Sequence, residues 1–126
     1  MGQTLTEQIL AAHAGTPTVR PGDLIEARVD FVFANDITAP LVVQEFERMG
    51  AERVFDPDRV AFVFDHYVPA KDIASAQQCK IAREFVRRHH LPHFYDIGRS
   101  GIAHVLLAEE GFVGPGDVFL GADSHT

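Results

Sequence analysis

The stretch Val60 to Pro69, VAFVFDHYVP, constrains the fold more than any other. Val60 to Phe64 is an unbroken apolar run, too short and too rich in β-branched and aromatic side chains for a buried helix. A parallel strand covered on both faces has this pattern. The run stops at Asp65 and His66. Ligands of open α/β sheets bind beyond the carboxyl ends of the strands, so an Asp-His pair there either caps the loop or carries chemistry.

Strand and helix patterns alternate around this run. Thr4 and Glu7 form a capping-box pattern for a helix with Leu5, Ile9 and Ala12 on one face, stopped by Gly15. His13, near the helix end, reads as structural. After a turn containing Pro17, Pro21 and Gly22, strict alternation from Ile25 to Phe33 predicts a strand with one buried face. A second helix is expected with Thr38 as cap, Pro40 in its first turn, a stripe of Val42, Phe46 and Met49, and an end at Gly50.

Beyond the central run, the longest helix is predicted from about Asp72 to His90, with Ala74, Ile81, Ala82, Phe85 and Val86 as its stripe. Cys79 reads as a small filler, and Arg83, Arg87 and Arg88 as complements of the helix dipole. His89, His90 and His93 straddle a helix end and Pro92, which predicts solvated histidines rather than a metal cluster. A strand over His93 to Ile97 is followed by Gly98-Arg99-Ser100-Gly101, a turn offering N–H groups to an anion at the start of a helix over Ile102 to Glu110. Val118 to Leu120 is the last predicted strand, followed by Gly121-Ala122-Asp123-Ser124-His125-Thr126. The expected fold is α/β, a parallel or mixed β-sheet flanked by helices, forming a single lobe over residues 1–126.

Composition excludes several functions. A chain of 126 residues with 46% hydrophobic content buries one core. It has no membrane-length apolar run and no signal pattern, so a cytoplasmic protein is expected. Eleven basic against 18 acidic residues, a formal charge of -7, argue against general nucleic-acid binding. The single cysteine, Cys79, rules out an internal disulfide and any site built from several thiolates of this chain. With no G-x-G-x-x-G, P-loop or G-x-S-x-G, dinucleotide binding, phosphoryl transfer and the serine-hydrolase fold lack support.

The residues that suit chemistry lie just after predicted strands. His66, His104 and His125, with Asp65, Asp123 and Ser124, converge if the strand ends share one rim. A carboxylate beside an imidazole raises its basicity and fixes its tautomer, which lets it exchange a proton near neutral pH.

The succession NDITAP, FDHYVPA, FYDIGRSGIAH and GADSHT resembles the iron-sulfur domain of the aconitase superfamily, in its N-terminal part. The match is closest to the branch of 3-isopropylmalate dehydratase large subunits and the related homoaconitases, and covers nearly the whole chain. The resemblance implies a hydro-lyase that removes and re-adds water on a hydroxylated carboxylic acid with a [4Fe-4S] cluster, one iron acting as Lewis acid. Position by position it implies that His66 protonates the departing hydroxyl with Asp65 as partner, that Asp123 pairs with His104, that Ser124 binds a substrate carboxylate, and that His125 lies beside cluster or substrate. Ala103-His104-Val105 departs from a frequent Cys-His-Gln, and Pro40 replaces the substrate-binding glutamine of aconitases proper, which favours the isopropylmalate or homoaconitate branch.

The family's cluster cysteines lie beyond the GADSHT motif, and Cys79 matches none of them. The resemblance therefore implies no metal held within this chain, a fragment inactive in isolation, and dependence on a small subunit, on which substrate choice largely rests. Apolar surface exposed on such a lobe predicts self-association. Three alternatives stand beside the isopropylmalate reading: a homoaconitase of lysine biosynthesis, a divalent-metal hydrolase using His66, His104, His125 and an Asp, and a catalytically silent scaffold.

Overall fold

The computed structural model describes residues 2–126. Its elements run α1 (Leu5–Ala14), β1 (Phe31–Asn35), α2 (Ala39–Arg48), β2 (Val60–Val63), α3 (Ile73–His89), β3 (His93–Tyr95), α4 (Ala103–Glu109) and β4 (Phe119–Ala122), with a 3₁₀ turn at Pro57–Arg59 before β2. The sheet is parallel throughout, in the order β3-β2-β1-β4. Helices cover both faces, as the α/β reading expects.

Side-chain alternation divides the core in two. Ala34, Phe62 and Phe64 point with Val43 of α2 and with Cys79, Ala82, Phe85 and Val86 of α3 into one cluster. Phe31, Phe33, Ala61, Val63 and Tyr95 point the other way, against Ala103 and Leu107 of α4. Phe62 and Phe64 are essentially inaccessible, and burial of each contributes roughly 1.5–3 kcal/mol.

Several elements differ from their sequence patterns. The alternation from Ile25 onward marks a half-buried extended segment, but the sheet begins only at Phe31. Arg28 N–H donates to His13 and Asp30 N–H to Val118, so the lead-in crosses α1 and the β4 approach instead of pairing with a strand. Strand β3 stops at Tyr95, and β4 starts one residue late and runs to Ala122. On α1 the inward residue is Ala11, whereas Leu5 and Ala12 are exposed. On α2 the inward stripe is Ala39, Val43 and Phe46, while Met49 is solvent-facing.

Polar groups fix the helix positions. Thr4 and Glu7 close the capping box, and Gly15 ends α1 with a positive φ of 66°. Asp72 caps α3 through Ser75. Thr38 occupies the cap position of α2 but caps nothing with its hydroxyl, which instead bonds Asn35. Arg83 is more specific than a dipole complement: its guanidinium makes two bonds to Asp96, at 2.6 and 2.8 Å, and lies over the Phe64 ring. His89 and His93 are half-buried against aromatic rings, Phe46 and Phe85 for the first and Phe31 and Phe112 for the second, so of the three only His90 is solvated.

No helix among the described residues is long and apolar enough to cross a membrane.

Candidate active site

All four strands run in one direction, so their carboxyl ends form one rim, and each is followed or closed by a polar group: Asn35 and Asp36 on β1, Asp65 and His66 after β2, Asp96 after β3, Asp123 after β4. This placement follows from the register, which sets Asn35 opposite Val63 and Ala34 opposite Ala122.

His66 Nδ1 lies 2.6 Å from Asp65 Oδ1. The other Asp65 oxygen accepts from the Ala103 N–H at 2.8 Å, at the start of α4. The anion at that helix end is therefore Asp65 itself. The imidazole is partly open, 44% exposed, and Asp65 is mostly covered at 13%. One side of the carboxylate is thus fixed by backbone and the other is directed at the ring.

Behind this pair sits Asp36, with a fully buried side chain. Its oxygens accept from the backbone N–H groups of Asp65, His66 and Tyr67. One oxygen is also 3.7 Å from His66 Nδ1. Beside it, Asn35 Oδ1 accepts from the N–H groups of Ile37 and Thr38, and Asn35 Nδ2 donates to Asp123 Oδ2 at 2.9 Å.

Asp123 is the hub of the β4 end. Its other oxygen accepts the His125 N–H at 2.8 Å and stands 3.8 Å from His104 Nε2 and 3.6 Å from His125 Nδ1. The His125 N–H bond, followed by the charges of His104, His125 and His66, holds the Asp123 carboxyl below its usual range against the opposing effect of burial. The expected Asp123–His104 pair is thus an ion-pair contact, and the hydrogen bond of His104 Nε2 goes to the Thr126 hydroxyl at 2.9 Å. The His104 ring meets Phe33 edge-on. Ser124 Oγ lies 3.0 Å from His125 Nδ1, and both residues are exposed.

Two polar groups therefore share the rim, His66 with Asp65 and Asp36, and Asn35 with Asp123, His104 and His125, and the adjacent residues Asn35 and Asp36 at the end of β1 join them through the backbone. Sequence reasoning missed Asn35, Asp36 and Thr126. Asn35 to Pro40 reads from sequence as a strand end turning into a helix, with no site role for Asn35 or Asp36; the available signal is two adjacent polar residues closing an apolar run. An apolar hollow of about 580 Å³ opens beside Asp65, walled by Phe64, Val68, Pro69, Ile97 and Ile102.

Two ligand sets can be judged from these contacts. Among the described residues, Asp36, Asp65 and His66 alone bring potential metal-ligating atoms within 4.8 Å of one another. The Asp36 oxygens are occupied by backbone donors and one Asp65 oxygen by Ala103, which suits a fixed loop better than a cation cage. His66, His104 and His125 do not form a single ligand set, so the metal-hydrolase alternative loses its geometry. An iron-sulfur cluster requires thiolates. Cys79 is 1% exposed, with its sulfur 3.9 Å from the Tyr67 carbonyl, and burial pushes the thiol pKa up. This chain's own residues do not fit a cluster.

The sequence model of the "Aconitase family (aconitate hydratase)" matches residues 7–126. The chain is 60% identical over all its 126 residues to the "3-isopropylmalate dehydratase large subunit" of Moorella thermoacetica, covering 30% of that protein. It is 56% identical over its full length to the protein of the same name from Thermodesulfovibrio yellowstonii, covering 30% of it, and 55% identical to that of Aquifex aeolicus, covering 29%. It spans about 30% of the length of the curated relatives it matches. Sequence along its whole length, a parallel sheet with helices on both faces, and a match over residues 7–126 lead to one conclusion: the chain belongs to the aconitase family.

Proposed function

We propose that this chain supplies part of the large subunit of a hydro-lyase that interconverts 2-isopropylmalate and 3-isopropylmalate, a step of leucine biosynthesis. The observation that supports it from geometry is the rim on which the Asp65–His66 pair and the Asp123 hub are linked through Asp36 and Asn35. The relatives above carry the isopropylmalate name, which favours this reading over homoaconitate.

The roles follow from which atoms are already engaged. Asp65 takes His66 Nδ1, which leaves Nε2 as the nitrogen available to a substrate hydroxyl. On dehydration the carbon–oxygen bond breaks, the hydroxyl takes the Nε2 proton and water leaves. The proton on the neighbouring carbon passes to a base outside this rim. Asp65 fixes the orientation of the ring through Nδ1, and Asp36 lies behind it. Ser124 binds a substrate carboxylate, with its hydroxyl oriented by His125. Asp123 orients His104 and His125 at the far end of the site. The [4Fe-4S] cluster of the complete enzyme is assigned to cysteines outside these 126 residues, and a small subunit completes the assembly.

The test is a chimera in which these 126 residues replace the matched segment of the Moorella thermoacetica large subunit, assembled with that organism's small subunit. Turnover of 2-isopropylmalate by the chimera, lost on His66→Gln, is the expected result. A folded, assembled chimera with no turnover, or one indifferent to His66→Gln, overturns the proposal.

A further inference from the structure

The least expected group on the rim is Asp36. It is a carboxylate with no accessible surface, and among the described residues its one ion-pair contact is the Nδ1 of His66 at 3.7 Å. Among the described residues no lysine or arginine pairs with it. Burying a carboxylate is costly unless donors surround it, and here the compensation comes from backbone. Oδ1 accepts from Asp65 N–H at 3.4 Å and His66 N–H at 3.1 Å, and Oδ2 from His66 N–H at 3.3 Å and from Tyr67 N–H. Three consecutive amides of the loop after β2 are thus pinned to a side chain at the end of β1, about thirty positions earlier in the chain.

We propose that Asp36 is a positioning residue for His66. The claim rests on reading His66 as the proton donor. Holding amides 65 to 67 fixes the backbone from which both Asp65 and His66 project, and so sets the short Asp65–His66 contact. An asparagine in place of Asp36 would offer one acceptor oxygen and would turn an amide N–H₂ towards a backbone donor. The carboxylate accepts at both oxygens and adds a second negative charge on the Nδ1 side of the ring. Two carboxylates then flank Nδ1, one buried and one at the rim, while Nε2 is left for substrate. The buried one touches no reacting atom, so its effect passes through His66.

Two readouts separate this from a merely structural role. In the 126-residue chain, amide hydrogen exchange at His66 and Tyr67 is expected to speed up about tenfold or more in Asp36→Ala, with the β2 amides unchanged. In the chimera, Asp36→Asn is expected to keep KM within about threefold and lower kcat about 100-fold, the scale of a misplaced catalytic group. Should Asp36→Ala fail to fold, Asp36→Asn decides by both readouts. Unchanged exchange at His66 and Tyr67 in a folded variant overturns the anchor, and full kcat in Asp36→Asn overturns the need for charge. Absence of turnover in the unmodified chimera would instead refute the reading of His66 as donor, and with it the proposal, even if the exchange data show the loop pinned.

Discussion

Asn35 Nδ2 donates to Asp123 Oδ2 at 2.9 Å, joining the carboxyl ends of β1 and β4 across 88 positions of sequence. Asn35 is 2% exposed, and its carbonyl oxygen is taken by Ile37 and Thr38. The amide therefore links the turn into α2 with the Asp123 hub. Asn35→Asp would place a second carboxylate against Asp123. The expected loss is about 1–3 kcal/mol at neutral pH, shrinking as the pH is lowered and one carboxyl of the like-charged pair takes a proton. Urea unfolding of wild type and variant at several pH values checks this.

Arg83 and Asp96 brace the loop after β3. The bidentate contact holds Asp96 below the usual carboxylate range, with the Arg83 hydrogen bonds as the largest cause. Both side chains are under a third exposed. Arg83→Ala is expected to cost roughly 1.5–3 kcal/mol, and Arg83→Lys to recover little, because an ammonium does not span both oxygens. A double-mutant cycle with Asp96→Asn should show strongly non-additive denaturation midpoints.

Gly121 lies in β4 where a side chain would collide with the Phe33 ring and the Thr126 side chain. The turn carrying Asp123 to Thr126 folds back over this bare backbone, which brings Thr126 to His104. Gly121→Ala should cost about 1–3 kcal/mol and displace the turn, read as a lowered melting temperature with altered His104 ring resonances.

His13 joins the end of α1 to the extended lead-in. Its Nδ1 faces the Ile9 carbonyl at 2.9 Å and its Nε2 faces Asp30 at 2.6 Å, so both nitrogens favour the protonated ring. The Ile9 contact, then Asp30, raises the His13 pKa above 6.5. Asp30 is lowered below 3.8, mainly by the Val118 N–H and then by His13. A raised histidine stabilises fully below 6.5 and loses that contribution as pH rises through its folded value. The depressed aspartate contributes above 3.8 and loses it as pH falls below. Melting temperature should hold between these limits and decline above 6.5, and His13→Gln should flatten the alkaline decline.

Self-association of the isolated chain is the fifth expectation. Strand β4 is a sheet edge, and on it Leu120 is 53% exposed and shares a surface hollow with Val42 of α2, 37% exposed. Unpaired backbone next to apolar side chains favours contact between copies. Sedimentation velocity over a range of concentrations should show a rising weight-average mass, and Leu120→Lys should reduce it.

The sequence by itself determined the elements and their class. An apolar run ending in Asp-His, flanked by capped amphipathic segments, is a local pattern, and local patterns are set by nearest neighbours along the chain. The capping box at Thr4 and Glu7, the buried β2, the long α3 with Cys79 inside, and the Asp65–His66 contact are all of this kind. Only the tertiary structure decided which helical stripe faces inward. Val42, Phe46 and Met49 fit the helical period as well as Ala39, Val43 and Phe46 do, and packing against α3 selected the second set. It also decided that Asn35 and Asp36 belong to the rim, that Arg83 meets Asp96, and that Thr126 meets His104. Each of these pairs residues distant in sequence, and their partnership depends on strand order and register, which no single segment encodes.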